Sequence, residues 1–141
     1  MAKGSRRTEA EEQKAVIAYC RLAGIPAVHI PNEGKRSYRA AGELREMGLA
    51  KGFPDLFIPL PCGKHHGLMI ELKRDRKSRL TKEQREWLRR LTDLGYRAEA
   101  CFGAEEAIRL IRSYAREVPG EGPEGAGKTQ AEPVQEEKDG D

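Results

Sequence analysis

Apolar residues along this chain recur at two spacings, a helical one and a strand one, and the switches between them mark its elements. Ala15, Val16, Ala18, Tyr19 and Leu22 form a helical stripe behind Thr8, an N-cap candidate, and Gly24 with Pro26 closes that helix. A short strand follows at Ala27-Val28-His29-Ile30, then the turn-rich Pro31-Asn32-Glu33-Gly34. Ser37 is placed to cap a second helix running to Met47, with Ala40, Ala41, Leu44 and Met47 on one side and Gly48 as its stop. Residues 55–60 read as a strand apolar on both faces, with Pro59 near its end or at a sheet edge. Beyond a hairpin-like loop at 61–67 comes another strand, Leu68-Met69-Ile70-Glu71-Leu72-Lys73. Thr81-Lys82-Glu83-Gln84 has the form of a capping box opening a helix with the stripe Trp87, Leu88, Leu91 and Leu94, ended by Gly95. A last strand spans 96–102, and Gly103 leads into a helix carrying Ala107, Ile108, Ile111 and Tyr114.

The order α-β-α-β-β-α-β-α predicts an α/β fold, a small mixed β-sheet flanked by helices. The strands around the 61–67 loop should be antiparallel. The final strand-helix-strand unit should be parallel, with a right-handed crossover.

At 141 residues the chain fits one domain. It is 35% charged and 38% apolar with a mean hydropathy of -0.75, and its aromatic share of 6% makes the core aliphatic. No apolar run approaches the ~20 residues that span a bilayer, so no membrane partner is expected. Met1-Ala2-Lys3-Gly4-Ser5-Arg6-Arg7 has no apolar stretch behind it, so no signal peptide is expected either. Cys20, Cys62 and Cys101 are odd in number and far apart, which suits a reducing cytoplasm rather than a disulfide framework.

The net charge of +3 conceals a division. Residues 117–141 hold eight acids against Lys128 and Lys138, with five Gly and three Pro, and offer almost nothing to bury. Residues 1–116 carry 24 basic and 15 acidic side chains. The expected organisation is a flexible segment at 1–7, a folded domain at 8–116 and an acidic disordered tail at 117–141. A basic folded unit points to a polyanion as partner.

Strand alternation locates the candidate chemistry. Leu68, Ile70 and Leu72 point one way and Met69, Glu71 and Lys73 the other, so an acid and a base two apart project side by side. Asp55 follows Gly52-Phe53-Pro54, where Gly permits a turn and Pro fixes the approach to the strand. If the strands flanking the loop pair, Asp55 and Glu71 lie near one end of the sheet. Counted from a loop centre near Lys64 they are slightly out of step, and a bulge or uneven loop would bring them opposite. Two carboxylates beside a lysine are unfavourable alone but suit an oxygen-preferring cation, Mg²⁺ or Mn²⁺.

Gly52-Phe53-Pro54-Asp55 followed by Glu71-Leu72-Lys73 resembles the PD-(D/E)XK nuclease signature. More narrowly, the chain resembles the virus-type replication-repair nuclease (VRR-NUC) branch in its compact, phage-like form. Pro31-Asn32-Glu33-Gly34, the run from Gly48 to Leu56, the stretch Leu80-Thr81-Lys82-Glu83-Gln84-Arg85-Glu86-Trp87 and Gly95-Tyr96 carry the likeness, which covers residues 8–115. The resemblance implies an αβββαβ core with an inserted helix. It implies Asp55, Glu71 and the Leu72 carbonyl as metal ligands, with Lys73 orienting or deprotonating water or stabilising developing charge. It further implies Gln84 as a site residue, with the difficulty that one side chain must also cap Thr81. An acid on the first helix belongs to the same pattern. Glu9, four before Gln13, is the candidate for this further catalytic residue and metal ligand, and Glu12 its competitor; both also suit a helix N-terminus.

Other motifs carry less. Cys62-Gly63-Lys64-His65-His66 has no second pair of zinc ligands and reads as a turn. Cys20 and Cys101 read as core thiols. The Gly122–Thr129 run has Walker-like spacing but lies in the acidic tail, with no strand before it and no helix after it. The expected activity is metal-dependent, structure-specific cleavage of DNA by a cytoplasmic homodimer (in the host cytoplasm if phage-encoded). The substrate would be branched DNA such as a four-way (Holliday) junction. Alternatives are a flap or single-strand nuclease, or a non-catalytic DNA-binding protein on the same scaffold. Arg74, Arg76, Lys77 and Arg79 would contact flanking phosphates, and Lys35, Arg36 and Arg39 would form a second contact surface.

Overall fold

Residues 7–31 and 38–117 are described in a computed structural model. The ends of the chain, most of the acidic tail, Lys35, Arg36 and the Ser37 cap lie outside the described residues, as does the Arg39 side chain. The elements run α1 (Glu9–Ala23), β1 (Val28–His29), α2 (Tyr38–Glu46), β2 (Leu56–Ile58), β3 (Leu68–Lys73), α3 (Lys82–Asp93), β4 (Arg97–Phe102) and α4 (Ala104–Arg116), in the predicted order.

The sheet has the order β1-β2-β3-β4. β1 and β2 are antiparallel, β2 and β3 antiparallel, and β3 and β4 parallel. The apolar face of the central strands sets the layers. Leu56, Ile58, Leu68, Ile70 and Leu72 are each 0% exposed, and with Val16, Cys20, Ala107, Ile111 and Tyr114 they form one core against α1 and α4. The Tyr114 hydroxyl, buried in that core, donates to the Leu60 carbonyl, so the deep phenol keeps a hydrogen-bond partner. α3 packs on β3 and β4 without touching α1 or α4, so it covers the other face. That second layer explains why Met69, on the same face as Glu71, is only 3% exposed.

The apolar stripes are not always phased as the sequence suggests. In α1 the buried pair is Val16 and Cys20; Ala18 is exposed and Leu22 is 91% exposed. Apolar residues on more than one side leave a helix without a unique inward face until a neighbour packs on it. Met47 lies just past α2, which makes no contact with the other elements among the described residues, and is exposed. Leu94 becomes the C-cap of α3 rather than part of its buried stripe.

Candidate active site

The register of β2 on β3 decides where the carboxylates meet. Leu56 pairs with Ile70 and Ile58 with Leu68, so continuing the ladder one step sets Asp55 opposite Glu71. The intervening loop is uneven. Cys62 bridges to His65 at its tip, leaving Pro59, Leu60 and Pro61 on one arm and only His66 and Gly67 on the other. The ladder is therefore centred on Gly63 rather than Lys64, and no bulge within the strands is required.

The approach to Asp55 is wedged against α3. Gly52 has φ +83, and a Cβ there would sit 2.6 Å from the Glu83 carbonyl carbon and 2.7 Å from the Gln84 nitrogen. Only glycine satisfies both the left-handed backbone and the contact. Phe53 then meets Trp87 edge-on, with centroids 5.0 Å apart. The loop before Asp55 and the first turns of α3 thus form one packed unit.

Asp55 and Glu71 are 5% and 2% exposed. Asp55 Oδ2 accepts from the Leu72 amide at 3.1 Å. Glu71 Oε1 accepts from Gln84 Nε2 at 2.9 Å and lies 4.0 Å from Lys73 Nζ. Gln84 serves both sites at once. Its Oε1 accepts from the Thr81 amide at 2.9 Å while its Nε2 faces Glu71, so the capping box and the carboxylate use opposite ends of one amide. The expected conflict between the two roles does not arise.

Burial, then repulsion from Asp55, pushes the Glu71 carboxyl up to about 8, against the pull of Lys73. Burial also raises Asp55, opposed mainly by the Leu72 amide. The Glu9 carboxylate raises both groups, placing that residue within electrostatic reach of the pair. Glu12 is engaged elsewhere. Its Oε2 accepts from the Ala104 amide at 2.8 Å, capping α4, whose own N-cap Gly103 has no side chain to do so. His29 was not singled out by sequence. It pairs with Leu56, accepts a hydrogen bond at Nδ1 from the Gln13 side-chain amide, and its proximity lowers the Asp55 carboxyl. No local signal marks it, because its place follows from strand pairing.

Among the described residues no three His, Cys, Asp or Glu side chains form a group that could hold a metal by themselves. The donor chemistry at the pair nevertheless suits a divalent cation. Two buried carboxyls face each other across a ladder and share a hydrogen bond when Glu71 holds its proton, while Glu71 Oε2 is buried with no donor from another residue. A cation that takes oxygen ligands would satisfy that atom and offset the repulsion.

The basic segment after β3 is ordered by Asp75, whose Oδ1 accepts from the Lys77 amide at 2.8 Å. Lys77 and Arg79 are exposed. Arg76 pairs with Glu106 at 3.1 Å and lies 5.5 Å over the Phe102 ring. Arg74 is half-buried, with Nε enclosed and unbonded.

The VRR-NUC domain profile matches residues 29–105, more than half of the chain and the whole interval from His29 through the start of α4. The chain belongs to the VRR-NUC family. A solved structure described as a VRR_NUC domain protein is 29% identical, with a TM-score of 0.71, and the match covers 79% of this chain and 91% of that one. A second, described as a VRR_NUC domain, is 21% identical with a TM-score of 0.53 over 75% and 96% of the two chains; it shows the shared fold. No curated protein matches. The α/β architecture is accordingly the nuclease-type fold of VRR-NUC domains, and Asp55, Glu71, Lys73 and Gln84 all lie within the matched interval.

Proposed function

We propose that this VRR-NUC domain is a metal-dependent DNA endonuclease that hydrolyses phosphodiester bonds, acting on branched DNA such as a four-way junction. The observation that carries the reading is the buried Asp55–Glu71 pair, with Lys73 Nζ 4.0 Å from Glu71 and Glu71 Oε2 without a donor from any other residue. Membership of a nuclease family agrees with it.

Asp55, Glu71 and the Leu72 carbonyl would hold Mg²⁺ or Mn²⁺, with Glu9 adding negative potential from α1. Such a cation, when bound, lowers the pKa of a coordinated water and offsets charge on the phosphate. Gln84 Nε2 fixes one Glu71 oxygen, leaving the other for the ligand. Lys73 brings a positive charge to the same carboxylate, where it would orient water or stabilise the negative charge developing on the phosphate. Lys77 and Arg79 would hold flanking phosphates without reading sequence. Paired cuts across a junction require two such sites, so the active species proposed is a homodimer.

The test is cleavage of junction, flap, duplex and single-stranded DNA with Mg²⁺, Mn²⁺ or chelator. Metal-dependent cleavage favouring the junction is expected, lost in Asp55→Ala, Glu71→Ala and Lys73→Ala while each variant still folds and binds DNA. Absence of cleavage on every substrate with both metals would overturn the catalytic reading.

A further inference from the structure

Phe53 and Trp87 are half-buried, yet neither belongs to the hydrophobic core. With Ile30, Pro31, Leu49 and Ala50 they line a recess of ≈ 320 Å³ on the α3 side of the sheet. One hydrogen bond and two short chain connections tie this recess to the carboxylates. The Ile30 amide donates to the Asp55 carbonyl at 2.7 Å, and Phe53 is two residues before Asp55. Trp87 is one helical turn beyond Gln84, which holds Glu71. Arg90 lays its guanidinium 5.2 Å from the centre of the Trp87 ring.

The charge around the recess argues against a phosphate as occupant. In the adjoining groove Glu83, Glu86 and Asp93 offset Lys51, Arg89 and Arg90, and Lys51 lies 3.9 Å from Glu83. What lines the recess itself is an apolar wall and two aromatic rings, with the Arg90 guanidinium over Trp87 on the side of that groove. Those groups suit a flat, neutral, polarisable ligand. A nucleobase is such a ligand, and only a base free of its helix can enter.

We propose that the Phe53–Trp87 recess is a subsite for an unpaired nucleobase of the DNA strand whose phosphate lies at Asp55 and Glu71. The inference rests on the nuclease reading and narrows its substrate class: junction crossovers, flaps and frayed ends offer such a base, and continuous duplex does not. Stacking supplies the preference, as it does for other proteins that take single strands on aromatic side chains.

Trp87 is the only tryptophan in the chain and borders both this recess and the adjoining charged groove, so tryptophan fluorescence reports on this corner of the molecule, and the abasic strand controls for ligands that enter the groove only. The full-length protein in chelator is titrated with a short oligothymidylate, with a strand of equal length lacking all its bases, and with a blunt duplex. Quenching by the oligothymidylate, with little from the abasic strand or the duplex, is expected. Phe53→Leu should weaken oligothymidylate binding about tenfold and change duplex affinity by less than about twofold. Equal quenching by the abasic strand, or no quenching at saturation, overturns the proposal, as does equal loss of both ligands in Phe53→Leu. Should that variant not fold, the wild-type titration decides alone. Cleavage is scored on separate samples. Cleavage without base-dependent quenching removes the subsite and leaves the nuclease, and base-dependent quenching without cleavage does the reverse.

Discussion

Gln84 holds a helix end with one end of its amide and a buried carboxylate with the other, which makes its two obvious substitutions informative in different ways. Gln84→Glu keeps the acceptor that the Thr81 amide needs, since glutamate serves at this position of a capping box. It removes the donor to Glu71 and sets a third carboxylate against the pair. Gln84→Ala loses the same donor and the cap acceptor as well, so the loss of stability in chelator should be larger in Gln84→Glu only by the repulsion of the added carboxylate, and cleavage should be lost in both. Thermal melts and a cleavage assay on both variants check this; a Gln84→Glu protein with normal cleavage would separate Gln84 from the site. The Glu71 carboxyl carries a pH consequence of its own. Its folded value of about 8 stands above the ordinary 4.5, so the folded chain keeps a proton that the unfolded chain releases. Stability from this group is therefore present below about pH 4.5 and is lost as pH rises towards about 8. In chelator the wild type should melt lower at pH 8 than at pH 5, and Glu71→Gln should remove much of that slope. Saturating Mn²⁺ at a hundred times its dissociation constant should restore about 2.7 kcal/mol to the wild type, and far less to Asp55→Asn. A wild-type melting temperature indifferent to pH across that interval would show that the pair is not strained. Asp55, Glu71 and Lys73 were legible because strand alternation and a turn before a strand are local patterns. The double bonding of Gln84 was not, because it requires knowing that α3 lies over β3.

Among the elements, the junction between the Gly52–Asp55 loop and α3 has the least tolerance. Gly52→Ala combines a left-handed backbone with backbone contacts under 3.0 Å and should cost roughly 2–4 kcal/mol. Gly42, inside α2 with ordinary φ and nothing within 4 Å of an added Cβ, is the control; Gly42→Ala should stabilise by up to about 1 kcal/mol. Urea unfolding of the two variants measures both, and a Gly52→Ala protein as stable as wild type would mean the loop does not press on α3. Element order and strand pairing were readable because caps, glycine stops and alternation agree with one another. Thr8, Thr81 and Gly24 mark helix ends as their chemistry requires. Which face each helix buries was less readable. Leu22, Met47 and Leu94 satisfy a helical spacing and are exposed, because that choice belongs to the neighbour that packs on the helix.

Across the whole molecule the basic surface is less free than its composition implies. Arg76, Lys77 and Arg79 are all exposed, and Arg76 is in addition paired with Glu106 at the surface. Neutralising Lys77 and Arg79 should flatten the dependence of log K on log salt by about 0.9 per lost duplex phosphate contact. Glu106→Gln should release Arg76 and tighten binding at low salt. Filter binding across a salt series measures both, and an unchanged slope would show that the segment does not touch phosphate. The buried thiols have a different use. Cys20 lies on α1, Cys62 in the uneven loop and Cys101 on β4, and burial pushes Cys20 and Cys101 up to about 11 and 12. A thiol so placed reacts only when its surroundings open. The chain therefore carries three native clocks, each timing a different part of the structure, readable as successive mass increments with an alkylating reagent. Cys101 is in register with Leu72, beside the carboxylate pair, while Cys62 lies at the opposite end of the sheet. Mn²⁺ should therefore slow the Cys101 clock more than the Cys62 clock.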